Sequence, residues 1–389
     1  MKILLTSQST AFGGVESRLV QEVAVLRQLG CEVDVATPSF PSVALWRQQI
    51  QAAGGSIFRW NPYKFIERKQ VGLFWRSLVA LSRPRLAKGK FNLAHVAMPW
   101  TTVGMTRILE LSNLGIPVVL GLHCTYPLEK LTPEIYEYVQ KALRGVVGAY
   151  AVSHSVRNSF LRNFGPLCEH FGIEVITNGV NVNRFTPDPV ARLKWRRRLG
   201  VEADTYLLAW CGRLVAMKNP HVALEILASP ILQGVNVKLA LAGSGPEEAN
   251  LRQHVSSLGL ESRVIFAGQI PDVEGFFSGA DGCLVTSTAE EGFPLGTCEA
   301  LACGLPVVAS DNEVFREAFG KCGAVTLLPV DDTGAWGNKL KDMTALDVAS
   351  HITMADIARS YALAQLSEEK MMTALRGYYM TVASRLSLS

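Results

Sequence analysis

Residues 282–310 read GCLVTSTAEEGFPLGTCEALACGLPVVAS, and the fold can be argued from this stretch. An apolar, β-branched run at 282–286 leads into a loop holding Gly292, Pro294 and Gly296. Helical spacing follows over 298–303, and a second β-branched run occupies 306–309. A strand, a loop, a helix and a second strand in direct succession imply parallel strands with the helix laid over one face. The same rhythm extends outward in both directions. Further strands are expected at 207–211, 237–242 and 263–266, with helices at 221–227, 247–258 and 273–279. In the first half of the chain strands are expected at 3–6, 32–36, 93–97, 118–122 and 150–152. Helical spacing of Leu19, Val23, Leu26 and Leu29 marks a helix over 17–29, and Gly30 sits where a C-cap glycine would. The rhythm pauses in TNGVNVNRFTP (177–187), whose Asn, Gly and Pro content reads as a linker.

The expectation is therefore an α/β protein of two doubly wound domains, 1–184 and 185–366. A C-terminal helix over 367–389, with Met371, Leu375 and Tyr379 at helical spacing, is expected to pack back on the first domain. Ligands of open parallel sheets bind beyond the carboxyl ends of the strands, so a site in a cleft between the two domains is expected. A chain of 389 residues suits two such domains. Its 48% apolar and 19% charged residues argue against disorder and coiled coil. A net charge of +4 does not signal nucleic-acid binding. No apolar run is long enough to span a bilayer. The opening MKILLTSQSTAFGG reads as a first strand and not as a signal peptide. None of the eight cysteines shows C-x-x-C spacing, so buried reduced thiols in a cytoplasmic protein are expected.

Several groups could carry chemistry. Glu291 and Glu299 lie eight apart, the second on the helix that follows the loop. The loop Gly292, Phe293, Pro294, Leu295, Gly296 offers backbone N–H groups at a helix N-terminus, which attracts anions. A carboxylate beyond it could accept hydrogen bonds from sugar hydroxyls. The same residues also suit a surface acid and a first-turn Glu that stabilises its own helix. Arg213 and Lys218 follow strand 207–211 in one short loop. Two fixed cations there could bind an anionic group, and two solvated surface cations would look the same in sequence. Gly13 and Gly14 follow the first strand, where a bare backbone can approach a ligand closely or simply make a tight turn. His123 follows strand 118–122, at the edge expected to face the cleft. A dinucleotide fingerprint is absent, because Gly243-Ser244-Gly245 lacks the third glycine. No D-x-D triplet occurs, and Asp331–Asp332 read as solvated loop acids.

The stretch 291–310 resembles the E-x7-E signature of retaining GT-B glycosyltransferases of family 4. GRLVAMKN (212–219), LAGSGPEEANL (241–251), RVIFAGQIP (263–271), TNGVNVNRFTP and FGGVES (12–17) resemble further elements of that family, in its order. Asn181 stands where Asp is more usual. The resemblance covers most of the chain and is weakest between residues 40 and 120. It implies the GT-B fold, two Rossmann-like domains with the acceptor on the first and a nucleotide-diphosphate sugar on the second. It implies transfer of a hexose or related sugar to a hydroxyl of a glycan, glycolipid or lipid-linked saccharide. Arg213, Lys218, Glu291 and His123 would be catalytic. Gly13, Gly14, Gly243, Ile270, Glu299 and the residues Gly292–Gly296 would bind the donor. Ile270 would meet the base through its backbone, Glu299 the ribose and Glu291 the transferred sugar. Neither a cofactor nor a metal is expected. A nucleotide-sugar epimerase and a silent nucleotide-sugar-binding protein of the same architecture are the alternatives.

Residues 58–91 hold nine Lys or Arg and one acid, Glu67, interleaved with Phe58, Trp60, Tyr63, Phe65, Phe74 and Trp75. Such a segment suits an anionic membrane, which would seat a cytoplasmic protein peripherally on the inner face. An ordinary basic domain face would look the same. The basic run over 192–198 reads as one solvated helix face.

Overall fold

The computed structural model describes residues 1–7, 13–37, 43–59, 86–98, 104–124, 132–287 and 291–387. It divides into two units, one of Met1–Asn178 with Met371–Ser389 and one of Gly179–Lys370. The first is built on strands β1 (Lys2–Thr6), β2 (Glu32–Thr37), β3 (Ser56–Arg59), β4 (Leu93–Met98), β5 (Val118–Leu122), β6 (Val146–Ala151) and β7 (Ile173–Val175). Their order is β3-β2-β1-β4-β5-β6-β7, and each neighbouring pair is parallel. The second unit contains β8 (Tyr206–Cys211), β9 (Val237–Ala242), β10 (Val264–Gly268), β11 (Gly282–Val285), β12 (Val307–Ser310) and β13 (Val325–Leu328). Their order is β10-β9-β8-β11-β12-β13, again parallel throughout. Each unit is a Rossmann-like, doubly wound domain.

The strands are apolar along most of their length because helices cover both faces. β8 shows this residue by residue. Leu207 and Ala209 enter one core with Phe276 and Phe315, while Tyr206, Leu208 and Trp210 enter the other with Trp336. In the first domain Leu19, Val23 and Leu26 of helix Gly14–Gln28 join a core with Trp46. Met371, Leu375, Tyr379 and Val382 of helix Glu368–Ser387 join the same core. Gly30 adopts a positive φ of 77°, and its N–H bonds the Arg27 carbonyl, closing the first helix.

The segment after Asn178 is ordered by side-chain hydrogen bonds. Asn181 Oδ1 accepts from the backbone N–H of Asn183 (3.2 Å) and Arg184 (2.9 Å). An aspartate there would do the same work, so Asn181 loses nothing locally. The Arg359 guanidinium donates to the carbonyls of Val182, Phe185 and Ala302 at 2.6–2.8 Å.

β3, β7 and β13 were not legible from periodicity. β3 and β13 have four residues each and β7 has three, and all three end their sheets. The run over 192–198 is not one solvated face. Trp195 and Arg196 are buried, and Arg192 and Arg196 both pair with Asp281 (2.5 and 3.0 Å). All eight cysteines are free thiols, six of them buried. Among the described residues no helix is long and apolar enough to cross a membrane. Most of the basic aromatic segment, 60–85, lies outside the described residues. Of its ends, Phe58 and Phe91 stack edge to face at 5.4 Å.

Candidate active site

In the second sheet the strand order reverses between β8 and β11. Loops leaving the carboxyl ends of two such strands diverge and leave a crevice. The loop after β8 carries Arg213 and Lys218, and the loop after β11 leads to Glu291. The fold thus brings together residues more than seventy positions apart. Lys218 Nζ donates to Glu291 Oε1 at 2.5 Å. The Glu291 side chain is 5% exposed and that of Lys218 27%.

The backbone around Lys218 explains its aim. Lys218 ends a 3-10 turn, Ala216–Lys218, and Asn219 takes the left-handed conformation at φ 48°. Asn tolerates that region better than most residues. The Asn219 carbonyl then accepts from Thr286 Oγ1 at 2.8 Å, and Trp210 Nε1 donates to the same hydroxyl at 3.1 Å. Thr286 therefore clamps the end of β11 to the Lys218 turn. Sequence reasoning missed Thr286 and Asn219, although the K-N dipeptide carried the signal.

Lys218 and Glu291 line a cavity of about 40 Å³ together with Ser287, Gly296 and Thr297. Helix Leu295–Ala302 begins at this cavity, with Pro294 as its N-cap residue. The Leu295 and Thr297 N–H groups are taken by Phe293 and Pro294 carbonyls. No described residue accepts from the Gly296 N–H, which leaves it as the first-turn donor beside the cavity. Thr297 Oγ1 is buried without a hydrogen-bond partner. Gly292 is buried and Phe293 half-buried, the latter packed on the core beside Phe319.

Arg213 is exposed and pairs with no described residue. Its loop is buttressed from behind. Gly243 has φ +142°, and a Cβ there would overlap the Gly212 carbonyl. The Leu214 N–H donates to the Ser244 carbonyl and the Gly212 N–H to Ala242, both at 3.0 Å. Gly243 thus permits two turns to touch.

Glu299 is half-buried on helix Leu295–Ala302, and no described donor reaches its carboxylate. Burial pushes its pKa up to about 7, partly offset by Arg184 and reinforced by Glu274. Arg184 itself donates to Glu274 at 2.8 Å. Ile270 is buried just beyond β10.

Gly13, Gly14 and His123 belong to the first domain. Gly13 is the N-cap of helix Gly14–Gln28, in extended backbone that any residue adopts. Its predecessors 8–12 lie outside the described residues. His123 follows β5, and the Tyr150 ring stands perpendicular to it at 6.1 Å. Burial, and then the charges of Arg18 and His95, hold its pKa well below the usual histidine range. Its Nε2 is buried without a hydrogen-bond partner. His123 is therefore a neutral imidazole with one nitrogen unspent. His154 opens helix His154–Phe164 behind the Ser153 N-cap.

Comparison with known proteins identifies the family and the fold. Residues 191–350 match the family model described as "Glycosyl transferases group 1". Residues 12–184 match that of "Glycosyltransferase Family 4". A phosphatidyl-myo-inositol mannosyltransferase of Mycolicibacterium smegmatis is 28% identical over 325 residues, 82% of this chain and 78% of the relative. A D-inositol 3-phosphate glycosyltransferase of Pseudarthrobacter chlorophenolicus is 30% identical over 319 residues, 77% of this chain and 74% of the relative. The crystal structure of Anabaena Alr3699/HepE in complex with UDP is similar in fold, with TM-score 0.78 and 21% identity, covering 98% of this chain and all of that one. The chain belongs to the group 1 glycosyltransferases of the GT-B fold.

Proposed function

We propose that the protein is a retaining glycosyltransferase that uses a nucleotide-diphosphate sugar and needs no metal. The donor is a hexose or related sugar, and the acceptor is a hydroxyl of a glycan, glycolipid or lipid-linked saccharide. The observation that carries this reading is the Lys218–Glu291 pair at the first turn of helix Leu295–Ala302. As the bond from anomeric carbon to diphosphate breaks, negative charge grows on the leaving phosphate. Lys218, the Gly296 amide and Arg213 stabilise that charge more than they stabilise the ground state. The acceptor oxygen bonds to the anomeric carbon from the face the diphosphate leaves, and its proton passes to a departing phosphate oxygen. Glu291 accepts from the transferred sugar, and the donor-free carboxylate of Glu299 accepts from ribose hydroxyls. Gly13, Gly14 and Ile270 contact the donor through backbone, and neutral His123 Nε2 meets the sugar. Gly243 acts through the Arg213 loop it supports.

Support for a lipid-borne acceptor comes from the mannosyltransferase relative, whose name specifies phosphatidyl-myo-inositol. The basic aromatic residues 58–91 would then rest on an anionic membrane. The test has two stages. UDP-, GDP- and ADP-sugars are first screened by thermal shift, since a ligand that binds only the folded state raises the melting temperature. The sugar that binds is then incubated with phosphatidylinositol vesicles in the presence of a chelator. Sugar transferred with its anomeric configuration kept supports the proposal. Inverted product, or release of an epimer without acceptor, overturns it.

A further inference from the structure

Helix Pro189–Leu199, on the second domain, has two unlike faces. Its inner face is fully engaged. Trp195 is 1% exposed and donates Nε1 to Asp272 at 2.8 Å. Arg192 and Arg196 share Asp281, and Arg196 also donates to the carbonyls of Glu202 and Thr205. The outer face has no such employment. Val190 is 76% exposed and Leu193 60%. Together with Lys194, Arg197 and Arg198 they line one shallow surface groove. The spacing 190, 193, 194, 197, 198 is a single helical stripe. None of the described residues pairs with Lys194 or Arg197, and Arg198 only covers the Trp195 ring at 4.5 Å. The helix holds no acid, and Asp188 before it spends its carboxylate on the Val190 and Ala191 N–H groups. The nearby acids Asp272 and Glu274 are likewise spent, on Trp195, Gly275 and Arg184.

We propose that this stripe docks on an anionic phospholipid surface. The cations of the inner face are explained by Asp281, and Lys194 and Arg197 of the outer face have no partner within the described fold. Unpaired cations beside exposed aliphatics suit the boundary between headgroups and acyl chains, where a helix lies in the interface plane. A nucleic acid or an acidic peptide would draw on the cations but not on Val190 and Leu193. The helix spans roughly 16 Å at 1.5 Å per residue. It therefore makes a reversible contact that works together with a second signal.

The test uses the full chain, without donor or acceptor, in sedimentation with vesicles of phosphatidylcholine alone or mixed equally with phosphatidylglycerol. Binding to the mixed vesicles only is expected. K194E/R197E should weaken that binding by roughly 25-fold, taking about fivefold per cation. L193S should weaken it by about fivefold through lost apolar contact. K321E/K341E, with the same charge change on other elements of this domain, should bind within about twofold of wild type, since the attraction acts only near the surface. Unchanged melting temperatures would confirm intact folds. Wild-type vesicle affinity in K194E/R197E, or no binding by the wild type at low salt, overturns the proposal. So does an L193S protein that binds like wild type, which would make the stripe a site for soluble polyanions. Catalytic activity is not read, so failure here leaves the proposed reaction standing, and failure of that reaction leaves this result standing.

Discussion

Lys218 Nζ and Glu291 Oε1 lie 2.5 Å apart, with the carboxylate nearly buried and the ammonium open to solvent on one side. Removing the lysine does two separable things. It strips a positive charge from the candidate phosphate site, and it leaves a buried carboxylate uncompensated. Lys218→Ala should lower kcat/KM by roughly 10² or more and destabilise the fold by about 3 kcal/mol. In Lys218→Ala/Glu291→Gln the stability should return while activity stays lost. A double-mutant cycle in which activity recovers along with stability would show that the pair is structural only.

Glu299 adds a pH dependence of a definite sign. Its pKa stands at about 7 in the folded chain, against 4.5 for the ordinary carboxyl. The native state therefore holds the extra proton between these values, and stability falls as pH rises through that window, levelling above about pH 7. Glu299→Gln should be more stable than wild type at pH 8, on the order of 2 kcal/mol once solvent access is allowed for. The two proteins should converge near pH 4. The same change should weaken nucleotide binding by losing a charged acceptor. Equal melting curves at pH 8 would place Glu299 in a better solvated setting than the fold indicates.

The contrast between Glu299 and the first domain shows what a sequence discloses. Glu291, Glu299, Arg213 and Lys218 stood out as candidates because strand–loop–helix junctions concentrate chemistry in a few consecutive residues. Thr286, which fixes the Lys218 turn through the Asn219 carbonyl, had no comparable pattern around it. The short edge strands β3, β7 and β13 carry too few residues to show a period. Arg192 and Arg196 look the same in sequence as Lys194 and Arg197, and only their distance to Asp281 separates a buried anchor from a surface charge. Least legible was the polar cluster around Glu22. Its members come from positions 18, 22, 95, 150 and 379, and nothing local announces that they meet.

Glu22 is fully buried, accepts from the hydroxyls of Tyr150 and Tyr379, and lies within ion-pair range of Arg18 Nε (3.5 Å) and His95 Nδ1 (3.4 Å). It ties helix Glu368–Ser387 to the first sheet. Tyr379→Phe removes one donor to a buried charge and should cost about 2 kcal/mol in urea unfolding. Glu22→Ala leaves Arg18 without its carboxylate and should cost about 3–5 kcal/mol. A Glu22→Ala loss no larger than that of Tyr379→Phe would mean that Arg18 is satisfied by the Ile176, Thr177 and Asn178 oxygens it also reaches.

The same cluster should make the first domain sensitive to acid. Burial lowers the pKa of His95 despite the nearby Glu22, and burial, then the Arg18 charge and the neighbouring His95, lower that of His123 further. Both are neutral in the native state at a pH where the unfolded chain already binds protons. The unfolded state then holds more protons below about pH 6.5, so stability falls as pH falls, by up to about 1.4 kcal/mol per pH unit for each histidine. Glu299 pulls the other way over an overlapping window, so single variants must be read against wild type. His123→Gln should remove one histidine's share of the slope between roughly pH 5 and 6.5 and lose sugar transfer at neutral pH. His95→Gln should remove the other share. If the slope of His123→Gln matches that of wild type, the His123 pKa is the same in the folded and unfolded chains, and its imidazole is better solvated than its burial indicates.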